Sequence, residues 1–170
     1  NISTTTGQLL DQDQDTIGGE AVQDQFTGQF VIPNPFPAFT LTGVRPIADF
    51  TTTKYTINVG NNITLSDVNV LLNVDHTFDG DLKISLVNPQ GQRVVLFNRR
   101  GGAGDNIRAT FDDEAALSIV GGAAPFAGSY KPEQSLTLFD GKNAKGNWTL
   151  EISDMARGNV GRLNQVSLLF

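Results

Sequence analysis

The sequence predicts an all-β domain, an antiparallel β-sandwich, on three observations. The composition is turn-rich and helix-poor: 18 glycines, frequent Asn and Thr, and few of the straight-chain Lys and Glu residues that fill helices. From Phe50 onward, short runs of Val, Ile, Leu and Thr are separated by Gly, Asn and Asp. Within those runs the apolar residues alternate with polar ones. Leu82, Ile84 and Leu86 alternate with Lys83, Ser85 and Val87, and Trp148, Leu150 and Ile152 alternate with Thr149, Glu151 and Ser153. A period of two with one polar face is the mark of an antiparallel sheet covered on one side.

The elements follow in order. Residues 1–28 are polar, lack either periodicity and read as an acidic linker. Residues 29–47 hold two apolar pieces, Gln29–Ile32 and Phe39–Leu41, around Pro33, Pro35 and Pro37. Proline at that density breaks helices and suits edge strands or irregular extended chain. Strands are then expected near Tyr55–Val59, Val68–Val74, Leu82–Val87, Val94–Phe97, Ala109–Phe111, Trp148–Ile152 and Gln165–Phe170. Asn88-Pro89-Gln90-Gly91 reads as a turn, because Pro presets φ and Gly tolerates φ > 0. Seven or more short strands with frequent turns imply a sandwich. The organisation expected is a linker or N-terminal extension over 1–49, with room for extra edge strands, and a sandwich over 50–170.

Composition also excludes classes of function. There is no cysteine, so disulfides, zinc–thiolate sites and Cys nucleophiles are out. The formal charge is −6, which disfavours nucleic acid as a partner. Residues 1–50 hold six acids against Arg45 alone, whereas 51–170 hold twelve acids and eleven bases. No apolar run approaches the ~20 residues needed to cross a membrane as a helix. The start at Asn1 carries no signal peptide, so the chain reads as a mature or excised segment.

A Ser–His nucleophile pair needs a histidine base, and the sequence has one, His76, without a Gly-x-Ser-x-Gly elbow. His76 reads as a structural residue at a strand end, bonded to backbone or to a carboxylate. Gly101-Gly102-Ala103-Gly104-Asp105-Asn106 is glycine-rich, but no Lys-Ser/Thr follows and Asp105 would repel a phosphate, so it reads as a flexible loop. Asp79 and Asp81 flank Gly80, and Asp112, Asp113 and Glu114 are consecutive. Paired carboxylates serve glycoside cleavage, but one Trp and two Tyr make a poor sugar groove. Loops of Asp, Asn and Gly suit calcium better, since the ion takes 6–8 oxygen ligands from carboxylates, amides and carbonyls. Asp105-Asn106 and Asp112-Asp113-Glu114 are separated by a connection short enough to bring both groups to one ion. Asp11-x-Asp13-x-Asp15 opens like an EF-hand loop, but Thr16 and Val22 occupy the positions of the required Gly and Glu. A solvated acidic linker accounts for it better.

Phe50 to Phe170 resembles the P domain, or homo-B domain, that follows the catalytic domain in kexin- and furin-like proprotein convertases and in bacterial subtilisin-like proteases. The matching blocks are Asp67-Val68-Asn69-Val70, His76-Thr77-Phe78-Asp79-Gly80-Asp81-Leu82, Leu86-Val87-Asn88-Pro89-Gln90-Gly91, Gly104-Asp105-Asn106 and Phe111-Asp112-Asp113-Glu114-Ala115. Phe126-Ala127-Gly128, Leu138-Phe139-Asp140-Gly141, Gly146-Asn147-Trp148-Thr149-Leu150, Ile152-Ser153-Asp154 and Gly161-Arg162-Leu163-Asn164 complete the set. The resemblance implies a jelly-roll-like sandwich without catalysis of its own. It also implies a partner, the catalytic domain of a parent protease, whose folding, stability and calcium response the domain supports. It implies a secreted or cell-surface setting, bacterial in origin, and a structural calcium with ligands drawn from Asp81, Asp105, Asp112, Asp113, Glu114 and Asp154. Trp148 is expected to fill the core. Asn159 stands where the family commonly carries an acid, and Val166 where it commonly carries a Trp. A free-standing carbohydrate- or surface-binding sandwich is the alternative, and it requires exposed aromatics.

Overall fold

The computed structural model describes residues 37–170. The acidic segment Asp11–Asp15 and the piece Gln29–Ile32 lie outside the described residues. Ten strands run in chain order: β1 (Ala38–Ile47), β2 (Thr52–Val59), β3 (Asn69–His76), β4 (Leu82–Val87), β5 (Arg93–Asn98), β6 (Ile107–Phe111), β7 (Leu117–Ser118), β8 (Gly128–Lys131), β9 (Gly146–Asp154) and β10 (Gly161–Leu169). Three 3₁₀ turns, Asp79–Asp81, Ile119–Gly121 and Leu136–Phe139, interrupt them. One sheet has the order β1-β10-β3-β6-β8-β7 and the other β2-β9-β4-β5.

The expected strands all form, and β4 has the expected bounds. Alternation explains the layers. In β3 the buried positions are Val70, Leu72, Val74 and His76, and in β4 they include Leu82, Ile84 and Leu86. Those faces join a single core in which Trp148 of β9 meets Phe170 at 5.5 Å and Phe139 edge-on at 5.1 Å. The Trp148 indole N–H donates to the Ala144 carbonyl, 2.8 Å, so the largest core side chain leaves no buried donor unpaired.

Three strands escape simple pattern reading. β1 pairs with β10 as a sheet edge, and its register shifts between Thr42 and Arg45, where Gly43 sits at φ 99°. That bulge and Pro46 interrupt the alternation begun by Phe39 and Leu41, yet both are tolerated at an edge. β7 and β8 have two and four residues, too few to show a period. The sheet is also not wholly antiparallel: β6 with β8 and β7 with β8 are parallel pairs. A parallel pair needs a crossover of about a dozen residues or more, and residues 112–127 supply it between β6 and β8.

Candidate functional site

The acids expected as ligands collect at two places. β6 lies between them. Asp105 precedes it and Asp112–Glu114 follow it, and five extended residues at ~3.3 Å each hold the groups roughly 17 Å apart. The expected meeting of Asp105 with Asp112, Asp113 and Glu114 around one ion therefore does not occur. Asp81, Asp105 and Asp154 belong to one end of the sandwich, and Asp112, Asp113 and Glu114 to the other. Among the described residues, no three His, Asp or Glu side chains come together as a metal would require.

At the first end, the inward faces of β3 and β9 run out on polar residues. His76 continues the series Val70, Leu72, Val74, and Asp154 continues Trp148, Leu150, Ile152. The two are fully buried and meet between the sheets, His76 Nε2 to Asp154 Oδ2 at 3.3 Å. The other ring nitrogen of His76 lies 2.9 Å from the Phe78 carbonyl oxygen. The sole histidine is thus bound to backbone and to a carboxylate, and neither ring nitrogen faces a serine. Asp154 Oδ1 accepts from the Ala156 N–H, 3.2 Å, which starts the β9–β10 turn. Asp81 accepts from the Asn159 side-chain amide at 2.8 Å. An acid at position 159 would face Asp81 as a like charge, whereas Asn supplies a donor.

The glycine-rich segment between β5 and β6, expected to be a flexible loop, is fastened onto the 3₁₀ turn Asp79–Asp81. The Asp79 N–H donates to the Gly104 carbonyl at 2.8 Å, and the Gly80 N–H to the Gly102 carbonyl at 2.9 Å. The approach needs glycine: a Cβ on Gly80 would stand 2.9 Å from the Gly102 oxygen. Asp79, absent from the expected ligands, is the most unusual residue here. It is 0% exposed, and both carboxylate oxygens are buried without a hydrogen-bond donor. Burial pushes its carboxyl up to about 7. The Asp105 charge adds to the rise, while the Asn106 amide and Arg108 oppose it. The Asn106 N–H itself donates to the His76 carbonyl, 3.2 Å, which leaves Asp79 without a partner.

At the second end the acids are more exposed and crowded. Asp112 Oδ1 accepts from the Glu114 N–H at 2.7 Å. Asp113 Oδ2 accepts from Ser135 Oγ at 2.6 Å and the Thr137 N–H at 3.0 Å, capping the turn Leu136–Phe139. Sharing a hydrogen bond with Asp112, and then the charge of Asp67, raises the Glu114 carboxyl; burial, then Asp67 and Asp113, raise that of Asp140. None of these five acids forms an ion pair with a Lys or Arg among the described residues.

Residues 65–170 match the family model described as the proprotein convertase P-domain. The chain belongs to that family. The match begins after β1 and β2, so the P domain here carries one strand of each sheet outside the matched span. Its relatives are proteases. It is 30% identical over 140 residues to the calcium-dependent protease of Nostoc sp., which covers 80% of this chain and 18% of that protein. It is likewise 30% identical to the extracellular serine protease of Aeromonas sobria, over 79% of this chain and 20% of that protein. The chain thus spans about a fifth of the length of the curated relatives it matches. Among solved structures it is similar to the Aeromonas sobria serine protease in complex with a chaperone, at 24% identity, a TM-score of 0.46, and coverage of 78% of this chain and 26% of that one. Among the described residues, no helix is long and apolar enough to cross a membrane.

Proposed function

We propose that this P domain is a non-catalytic accessory domain of a secreted bacterial subtilisin-like protease. In this reading it packs on the catalytic domain of the parent chain, supports its folding and stability, and contributes to its calcium dependence. The observation that carries the reading is the family match over 65–170, joined to protease relatives of which this domain is only a fifth. The buried His76–Asp154 pair supports it, because the one histidine is committed to the core. Of the six acids expected as calcium ligands, Asp81, Asp105 and Asp154 at one loop end are proposed to serve, and Asp112, Asp113 and Glu114 at the other are not, since turn N–H groups and a hydroxyl already occupy Asp112 and Asp113.

The carbohydrate-binding alternative needs an aromatic platform. Among the described residues the exposed large aromatic is Phe50, and the Arg157 guanidinium lies over its ring, 4.6 Å from the centroid. That observation favours the accessory reading.

Deletion tests it. The full-length parent protein lacking residues 38–170 is expected to be secreted in several-fold lower active yield, and its catalytic part to melt at a lower temperature. Unchanged yield and melting would overturn the supporting role. The isolated chain is expected to leave casein uncut, and cleavage that survives removal of contaminating proteases would overturn the non-catalytic assignment.

A further inference from the structure

Asp79 poses a question that the hydrogen bonds around it do not answer. A carboxylate without donors is costly to bury, and folded proteins relieve the cost by protonation, by a counter-charge or by a metal. The basic residues nearby are committed elsewhere. Arg99 Nε donates to the Gly80 carbonyl at 3.1 Å, Arg100 holds Glu133 at 2.6 Å, and Arg108 pairs with Asp75 and the Val74 carbonyl. Main-chain oxygen lies beside Asp79, whose own N–H donates to the Gly104 carbonyl at 2.8 Å. Asp105 lies close enough for its charge to be felt. The carbonyls of Gly101, Gly102 and Gly104 in the same loop each accept one N–H, and each keeps a second lone pair. Gly101 to Ala103 and Asp105 are exposed, so an ion reaches the loop from solvent.

We propose that Asp79 and Asp105 bind a calcium ion between the 3₁₀ turn and the glycine loop, with main-chain carbonyls of residues 101–104 completing the shell. This rests on the calcium dependence proposed above and joins Asp105 to Asp79, a residue outside the six acids named there. The donor set decides the metal. Two carboxylates with several carbonyls form a hard, irregular oxygen shell, which calcium accepts and which magnesium, needing near-ideal octahedral geometry, does not. The low carboxylate count places the affinity among the weak sites of extracellular modules, with Kd of order 10⁻⁴–10⁻³ M. Such a site fills in calcium-rich surroundings outside a cell and empties inside one. The bound ion fastens residues 101–105 to the sandwich end that the His76–Asp154 pair closes.

Thermal melts of the 170-residue chain at slightly alkaline pH, in chelator and in millimolar calcium or magnesium, test the site. At roughly tenfold excess over Kd, calcium is expected to raise Tm by about 3–6 °C. Magnesium is expected to give a much smaller shift, and an equal one would overturn the choice of metal. Asp79→Asn, nearly isosteric and uncharged, is expected to lose the calcium increment and to melt above wild type in chelator. Should that variant fail to fold, Asp105→Asn, at an exposed position, is expected to weaken calcium binding in calorimetric titration by about tenfold or more. Asp113→Asn is expected to keep the wild-type increment. A full increment in both Asp79→Asn and Asp105→Asn, or its loss in Asp113→Asn, would overturn the site while leaving the domain calcium-responsive. No increment in wild type would overturn the site and the calcium dependence together.

Discussion

The two loop ends of the sandwich carry acids in similar number but not in similar surroundings. At the end closed by His76 and Asp154, three carboxylates are buried, and of these all but Asp79 have a partner: His76 and the Ala156 N–H for Asp154, and Asn159 for Asp81. At the other end Asp112, Asp113 and Glu114, with Asp67 and Asp140, crowd together at the surface, satisfied by turn N–H groups and hydroxyls. Counting acids along the chain does not distinguish the two. Burial does, since in low dielectric a carboxylate's partner becomes a matter of several kcal/mol, whereas at the surface water substitutes.

The largest break in that comparison is His76→Ala. It leaves the Asp154 carboxylate buried with one weak N–H donor, and denaturant unfolding is expected to show a loss of about 3–5 kcal/mol. A loss below ~1 kcal/mol would mean that water replaces the ring and that this end is wetter than its burial implies. The matching change at the open end, Asp113→Ala, removes one of the two acceptors on the Thr137 N–H and leaves the Ser135 hydroxyl to cap Leu136–Phe139, and is expected to cost only about 1 kcal/mol. Equal costs would erase the distinction.

Acid sharpens it differently. Asp75 sits on the outer face between Arg108 of β6 and Arg162 of β10. The Asn164 amide nearby, and then hydrogen bonds from the two arginines, hold its carboxyl at about 2, below the ordinary 3.8. A folded-state value below the unfolded one gives stability that is present above about pH 4 and is lost as the pH falls toward 2. Wild type is therefore expected to lose melting temperature faster than Asp75→Asn between pH 5 and 2, and parallel curves would show the pair to be inert. The smallest effect is expected for Glu114→Gln. Its neighbours are acids, so neutralising it should leave stability unchanged or raise it by at most ~0.5 kcal/mol, more visibly at low salt. A clear loss would show that the exposed cluster holds a cation in solution.

The fold was legible because burial on one face imposes period two. Leu82, Ile84 and Leu86, and Trp148, Leu150 and Ile152, declare their strands without help from the rest of the chain. β7 and β8 were not, since strands of two and four residues owe their form to the neighbour they pair with. β1 was legible only as extended chain, because its bulge breaks the alternation. At the sites, the structural role of His76 followed from its being the lone histidine after an alternating strand. Asp79 was hidden, because its burial depends on a loop 20 residues later folding back over it, and local pattern carries no trace of that contact. The supposed convergence of Asp105 with Asp112–Glu114 failed for the opposite reason. Proximity in sequence misleads when the intervening residues form an extended strand.

Each outer edge of the two sheets is closed to further strand pairing. β1 is kinked by its bulge and carries Pro46, and β7 is only two residues long. The free side of β5 is occupied by Glu133 and Gln134, whose main chain and side chain take up the Val95 and Leu96 backbone groups. β2 presents Lys54 in mid-strand, held by Glu151 at 3.1 Å. Each rim is interrupted, shortened, covered or charged, and those are the devices that stop one sheet from growing onto another. A module tethered next to a partner experiences it at very high local concentration, and blunted rims let the two touch through side chains without their backbones knitting together.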